Sequence, residues 1–343
     1  MSNDYRIGFR PFPWLPIGRD SFDVHIEMAV EAEKLGFDGV FTVDRMLATV
    51  GTGAGMVYLS TAPEVFVTLS ALAARTSRMH VAPLVMVLPF RNPVQLAKMT
   101  ASLDLLSKGR LILPVGQGWN RAEFSVLGLN QNQAASRMEE TIDILRLLWK
   151  GKPCSHQGKH FQFENIAVEP TPFRPGGPPI WLGSSLVDPQ HINAPVMPMR
   201  LERVLNRVGR MADAWAPLIY SIPKRQGIDP GLLKSAWERV QQAAAEAGRP
   251  NAVQFAFSHW YYVVETPQDE EAARRGVGCF FPGTWEEARN TYLIGTPREI
   301  RDKIRSMTQQ IDRVSWYIFT ALGPDVEQVR RLRSDVIPLL ETP

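Results

Sequence analysis

The chain has 343 residues, 45% of them hydrophobic and 21% charged, enough to bury one large barrel or two medium domains and too apolar for a disordered chain. Lys and Arg number 38 against 35 Asp and Glu, a net charge of +3 with no basic block or acidic tail, so no footprint for nucleic acid is expected. Cys154 and Cys279 are the only cysteines, too few for a disulfide framework and suited to a cytoplasmic protein. No run reaches the roughly 18 apolar residues of a membrane helix, so no membrane partner is expected.

Strand and helix signals alternate along the chain. Ile7 to Phe9 reads as a first strand. Asp20 or Ser21 caps a helix in which Phe22, Ile26, Ala29 and Glu33 keep helical spacing, and Gly36 stops it. Phe37 to Val43 is a second strand ending at Asp44-Arg45. The glycines between Gly51 and Gly55 lack the spacing of a dinucleotide fingerprint and read as a mobile loop before a helix near Pro63. Met79 to Leu88 is the third strand, and Pro93 opens the next helix.

The fourth strand is the most informative. Leu111 to Val115 is apolar without alternation, as in a strand covered on both faces. Gly116-Gln117-Gly118 follows, and two glycines one residue apart let the backbone turn sharply and lie against a flat ligand. The same spacing also suits a purely structural turn. Gln117, Trp119 and Asn120 fall at the C-terminal end of the strand, where parallel α/β proteins build their sites.

A helix from Ser136 to Trp149 and a Pro/Gly-rich connection from Gly151 to Pro178 lead to strand five, Pro179 to Leu182. Strand six is Ala214 to Pro217, strand seven Phe255 to Val264 and strand eight Val314 to Phe319. Helices are expected near Leu201 to Gly209, Gly231 to Ala247, Pro297 to Gln309 and Asp325 to Leu340. Eight strands alternating with helices, without a domain linker, predict a single α/β (β/α)8 TIM barrel over residues 1–343 with loop insertions at its C-terminal mouth.

Aromatic residues in irregular segments suggest a substrate chamber, formed by Phe9, Phe12 and Trp14 after strand one and by Trp119. Phe280, Phe281 and Trp285 after strand seven read as its lid, though packing over the barrel mouth fits them equally. His156 and His160 have i, i+4 spacing but no carboxylate cluster, so no metal site is expected. His25 and His80 read as structural. His259, beside Trp260 and Tyr261 on strand seven, is the histidine with a candidate catalytic role.

The stretch from Ala82 to Gly128, APLVMVLPFRNPVQLAKMTASLDLLSKGRLILPVGQGWNRAEFSVLG, resembles the bacterial luciferase-like oxidoreductases. Ser136-Arg137, Trp149-Lys150-Gly151, Pro178 to Gly183, Gly209 to Pro217 and Gly295-Thr296-Pro297 extend the resemblance over most of the chain. It implies a (β/α)8 barrel with a flavin-type ring over the C-terminal mouth. Arg91-Asn92-Pro93 and the Gly116 to Phe124 block look closest to the branch that uses the deazaflavin coenzyme F-420.

Carried over, the resemblance implies that Arg137 and Gly183-Ser184-Ser185 meet the cofactor phosphate. Gln117, Gly118 and Asn120 would edge the ring and its side chain, and Val85 and Met86 would back the ring face. In the family a bulge or cis peptide at strand three often supports that ring. Many deazaflavin relatives end strand two in Asp-His, whereas this chain has Asp44-Arg45. A histidine there donates a proton; an arginine stays charged. Asp44 and Arg45 are therefore candidate catalytic residues with an open role.

Three readings follow. The first is hydride transfer between reduced F-420 and a small organic, apolar substrate. The second is an FMN-dependent monooxygenase that uses oxygen and a separate reductase. The third is a non-catalytic flavin-binding barrel. A homodimer is expected in each case.

Overall fold

Strands and helices alternate from β1 (Arg6–Arg10) through α1 (Ser21–Lys34), β2 (Gly39–Thr42), α2 (Val65–Arg75), β3 (His80–Pro83), β4 (Met86–Val87), α3 (Pro93–Leu106), β5 (Leu113–Gly116), α4 (Arg121–Val126) and α5 (Ala134–Leu148). Next come β6 (Cys154–Gln157), β7 (Gln162–Ile166), β8 (Ile180–Ser185), α6 (Met199–Met211), β9 (Ala214–Leu218), β10 (Tyr220–Ser221), β11 (Gln226–Gly227) and α7 (Pro230–Glu246). The last part holds β12 (Gln254–Val263), α8 (Pro267–Gly278), α9 (Trp285–Thr291), β13 (Leu293–Gly295), α10 (Pro297–Thr308), β14 (Trp316–Ala321), α11 (Val326–Arg331) and α12 (Ile337–Glu341). This is a computed structural model, and it describes residues 5–11, 21–47, 62–186, 199–221 and 225–341.

The principal sheet runs β3-β2-β1-β14-β12-β9-β8-β5-β4, and its pairings are parallel. Strands β3 and β4 are successive segments of one stave, parted by a cis Leu84–Val85 peptide. A parallel bridge from Val81 to Leu111 joins that stave to the start of β5 and closes the ring. The result is the α/β TIM barrel, with eight staves around it.

Side chains fill the barrel in layers. Phe41, Trp181 and Trp316 meet at centroid distances of 5.5 to 6.1 Å and plug the lower interior with Ile112, Ile318 and small alanines. Glycine makes that plug possible: a Cβ on Gly8 would lie 2.5 Å from the Phe41 ring. Period-two alternation sets the next inward layer one step higher. There Arg10 pairs with Thr320 across β1 and β14, and Trp260 of β12 also registers with Thr320. The plug floors the mouth, and this layer is where polarity begins.

Two sequence expectations change. The connection from Gly151 to Pro178 contains the antiparallel hairpin β6–β7, whose root is held by Glu140 of α5, accepting from the N–H groups of His160 and Phe161. The segment after strand seven carries two helices, with Phe280 and Phe281 buried in the connection between them. Thr266 with Asp269 and Thr284 with Glu287 form capping boxes that start α8 and α9. No helix among the described residues is long and apolar enough to cross a membrane.

Candidate functional site

A cavity of about 460 Å³ opens at the C-terminal ends of the staves, within the size range of small-molecule sites. Its wall on the β4–β5–β8 side is a nearly featureless seat. Val85, just after the cis peptide, nests between Gly116 and Gly183. A Cβ on Gly116 would stand 2.9 Å from Val85 Cγ2, and one on Gly183 2.7 Å from Val85 Cγ1. Only hydrogen at both positions lets the valine lie down and leaves the wall flat. Gln117, Trp119, Ser184 and Ser185 line the cavity with this seat, as does Arg200 of α6. Ser184 Oγ is oriented by the indole N–H of Trp215, 2.8 Å away.

The end of β2 is held by charge. Asp44 accepts two hydrogen bonds from the Arg91 guanidinium, at 2.6 and 2.8 Å, and a third from the Val87 N–H at 2.8 Å. Its carboxylate therefore clamps the β4 stave to β2. Buried Glu123 of α4 accepts from the N–H groups of Met46 and Leu47 at 2.9 and 3.1 Å, fixing the turn that carries Arg45. The Arg45 guanidinium lies 5.5 Å from the Trp119 ring centre, at the cavity edge.

Across the mouth, on the β14–β1–β12 side, Arg10 is buried yet lines the cavity. Its Nε donates to Thr320 Oγ1 at 2.8 Å and its Nη1 to the Leu84 carbonyl at 3.2 Å. The guanidinium covers the Trp260 ring at 4.9 Å, and Trp260 stacks in turn on Phe280. The Trp260 indole donates to the Tyr220 hydroxyl at 2.5 Å. Burial lowers the Arg10 pKa to about 10, opposed by Tyr220, so Arg10 is a cation at neutral pH. Burial raises the Tyr220 pKa, against the pull of Arg10 and the Trp260 N–H, so the phenol keeps its proton.

The family model for luciferase-like monooxygenases matches residues 4–189, more than half of the chain. The chain belongs to the luciferase-like monooxygenase family. This luciferase-like chain is 25% identical over 345 aligned residues to the oxygenase component of a flavin-dependent trigonelline monooxygenase from Acinetobacter baylyi, covering 92% of this chain and 89% of that protein. It is 32% identical over 161 residues to a phthiodiolone/phenolphthiodiolone dimycocerosates ketoreductase from Mycobacterium kansasii, a match spanning 46% of this chain and 38% of that protein. An F-420-dependent secondary alcohol dehydrogenase, solved with an F-420–acetone adduct, superposes with a TM-score of 0.75 at 18% identity over 98% of this chain and 99% of that one. At that identity the likeness is one of fold.

In this luciferase-like cavity, Asp44, Arg45, Val85, Gln117, Gly118, Trp119, Gly183, Ser184, Ser185 and His259 all border the space. Several other expected residues stand elsewhere. Phe9 packs in the core between staves and helices. Met86, next to the seat, turns fully into that core. Asn120 caps α4 through the Ala122 N–H. Arg137 lies over the Phe161 ring at 4.8 Å and is not among the residues that line the cavity, although its neighbour Met138 is. Phe281 is buried against Tyr292, and Trp285 opens α9 under the Arg274 guanidinium. Phe12, Trp14 and the Gly51 to Gly55 loop lie outside the described residues.

His259 borders the cavity, but alternation turns its ring outward from Ser258 and Trp260 into an aromatic layer with Phe257, Tyr220 and Tyr292. Burial depresses its pKa to about 3 against the Trp260 carbonyl contact, so the ring is neutral. Sequence reading gave no individual site role to Arg10, Tyr220, Trp260, Glu123 or Arg91. Arg10 left one usable signal: it falls in the inward register of the first strand, two residues after Gly8.

Proposed function

We propose that this luciferase-like oxidoreductase holds a deazaflavin, coenzyme F-420, on the Val85 seat and reduces a carbonyl compound. The seat suits a flat ring: glycine backbone on two staves, an apolar side chain between them, and Gln117 at the rim. Ser184, Ser185 and Arg200 supply hydroxyl and guanidinium donors for an anionic tail. When bound, the reduced deazaflavin supplies a hydride.

The observation that carries the reading is the Tyr220 hydroxyl. Its oxygen accepts from Trp260, so its own O–H remains for an acceptor in the cavity. Carbonyl reduction needs one proton at oxygen for each hydride that reaches carbon. Tyr220 can give that proton, and the Arg10 cation and Trp260 N–H then stabilise the phenolate left behind. Solvent returns the proton afterwards.

Anaerobic titration with reduced F-420 and reduced FMN tests this reading. Tighter binding of F-420 and oxygen-independent carbonyl reduction are expected. The rival, an FMN-dependent monooxygenase served by a separate reductase, is favoured by the flavin-dependent oxygenase component that aligns over most of both chains. A preference for reduced FMN with oxygen-dependent product formation would select it.

A further inference from the structure

Among the described residues Arg10 forms no ion pair. Its hydrogen-bond acceptors are a hydroxyl and a carbonyl, and its charge also faces the Trp260 ring, the protonated Tyr220 phenol and the neutral His25 imidazole. Nη2 donates to none of them. The one carboxylate in the described cavity wall, Asp44, is consumed by Arg91, and Arg207 in the same wall pairs with Glu139. A guanidinium taken out of water is costly unless an anion answers it. Here it lines a cavity whose other walls, including Val43, Leu84, Val85, Leu182 and Ala216, are largely apolar.

Position then separates two possible anions. In the ring of staves β1 and β14 stand opposite β8 and β5; from β1 the Arg10 guanidinium reaches the Leu84 carbonyl at the edge of the Val85 seat and covers Trp260. A ring lying over Val85 toward Gly116 and Gly183 leaves the face of Arg10 beside Trp260 and Tyr220 to the substrate. We infer that the substrate is an organic carboxylate, its carboxylate seated on Arg10 and its apolar remainder lying along the cavity wall. This deepens the proposed function by naming the substrate class, and it rests on that reading for the placement of the ring. A carboxylate offers two acceptor oxygens to a planar donor fork, which a carbonyl alone does not.

The test is calorimetric titration of the full chain, without cofactor, with benzoate and hexanoate against benzamide and hexanamide. Each pair has nearly the same shape and differs in charge. The wild-type protein should prefer the carboxylate by about tenfold or more. Arg10→Met should erase that preference, with a smaller loss of affinity for oxidised F-420 or FMN than for the carboxylates. Arg10→Lys, which keeps the charge, should retain part of the preference and covers the case in which the methionine variant fails to fold. Equal binding of carboxylate and amide by the wild type would overturn the inference. So would an undiminished preference in Arg10→Met, or an Arg10→Met protein that loses only the reduced cofactor, which would assign the charge to the ring. A carboxylate preference in a protein that binds neither F-420 nor FMN would instead sink the proposed cofactor and leave the Arg10 subsite standing.

Discussion

At the scale of single residues, the two glycines flanking Val85 decide whether the seat is flat. Gly183→Ala would push a methyl into Val85, and the valine would have to rise into the cavity. Affinity for a flat cofactor should fall about tenfold, with a cost to folding of about 1–3 kcal/mol. Val85→Ala should rescue part of the loss, so a double-mutant cycle for cofactor binding should show coupling. Additive effects would mean the glycine and the valine act separately. Gly118 differs: its φ of +78° and a Cβ only 2.7 Å from Val87 make any side chain there a problem of the turn. Gly118→Val should therefore lower the melting temperature and cofactor binding together. The Gly116-Gln117-Gly118 run announced a turn in the sequence, but which glycine serves the wall and which the turn depends on Val85 and Val87, brought in from another stave. Arg137 shows the same limit. As a charge opening a helix it reads as a phosphate partner, whereas Arg200, on another helix, shares the cavity lining with Ser184 and Ser185. Arg200→Ala should weaken FMN or F-420 binding by about tenfold, measured by titration. An unchanged affinity would remove Arg200 from the tail site.

At the scale of elements, carboxylates accepting from backbone N–H groups set where strands end and turns begin. Glu33 near the end of α1 takes the N–H groups of Ser77, Arg78 and Met79 ahead of β3. Although burial works to raise its pKa, these bonds bring the net shift down. Glu123 performs the same task for the turn after β2. Glu123→Ala should cost about 1–3 kcal/mol in urea unfolding and loosen the Arg45–Trp119 edge, with faster hydrogen exchange at Met46 and Leu47. Glu123→Gln, which keeps one acceptor, should cost less. Unaltered exchange at both amides in Glu123→Ala would show that the turn holds without the carboxylate. These long-range ties leave no periodicity in a sequence, which is why they went unread. The staves themselves did leave it, since their apolar runs and the helices between them follow local spacing. The third strand read as continuous from Met79 to Leu88 because nothing in its composition marks the cis Leu84–Val85 peptide that divides it. The capping boxes of α8 and α9 were legible in Thr266-x-x-Asp269 and Thr284-x-x-Glu287, but nearby aromatics drew that segment toward a lid.

At the scale of the whole molecule, the closed barrel buries imidazoles in the neutral form, and this sets a pH limit on the fold. Burial lowers His25 to about 4, with the Arg10 charge adding to the effect. His259 is lowered by burial to about 3. His80, less enclosed, falls to about 4 through burial and the Arg6 charge. The unfolded chain binds protons at all three near the ordinary pKa of about 6.5. Between about pH 6.5 and these depressed values the unfolded state holds more protons than the folded one, so stability rises with pH across that window and is lost as pH falls through it. Each fully buried imidazole contributes a slope of up to about 1.4 kcal/mol per pH unit. His259→Phe offers the cleanest test, because its neighbours Phe257, Tyr220 and Tyr292 are aromatic and a phenyl ring has no proton to gain. Urea unfolding at several values between pH 4 and 7.5 should show a shallower loss on acidification for the variant, by about 1 kcal/mol per pH unit below 6. Parallel curves for wild type and variant would mean that His259 is protonated in the folded barrel, and the aromatic layer behind Tyr220 would then carry a charge that its present packing does not accommodate.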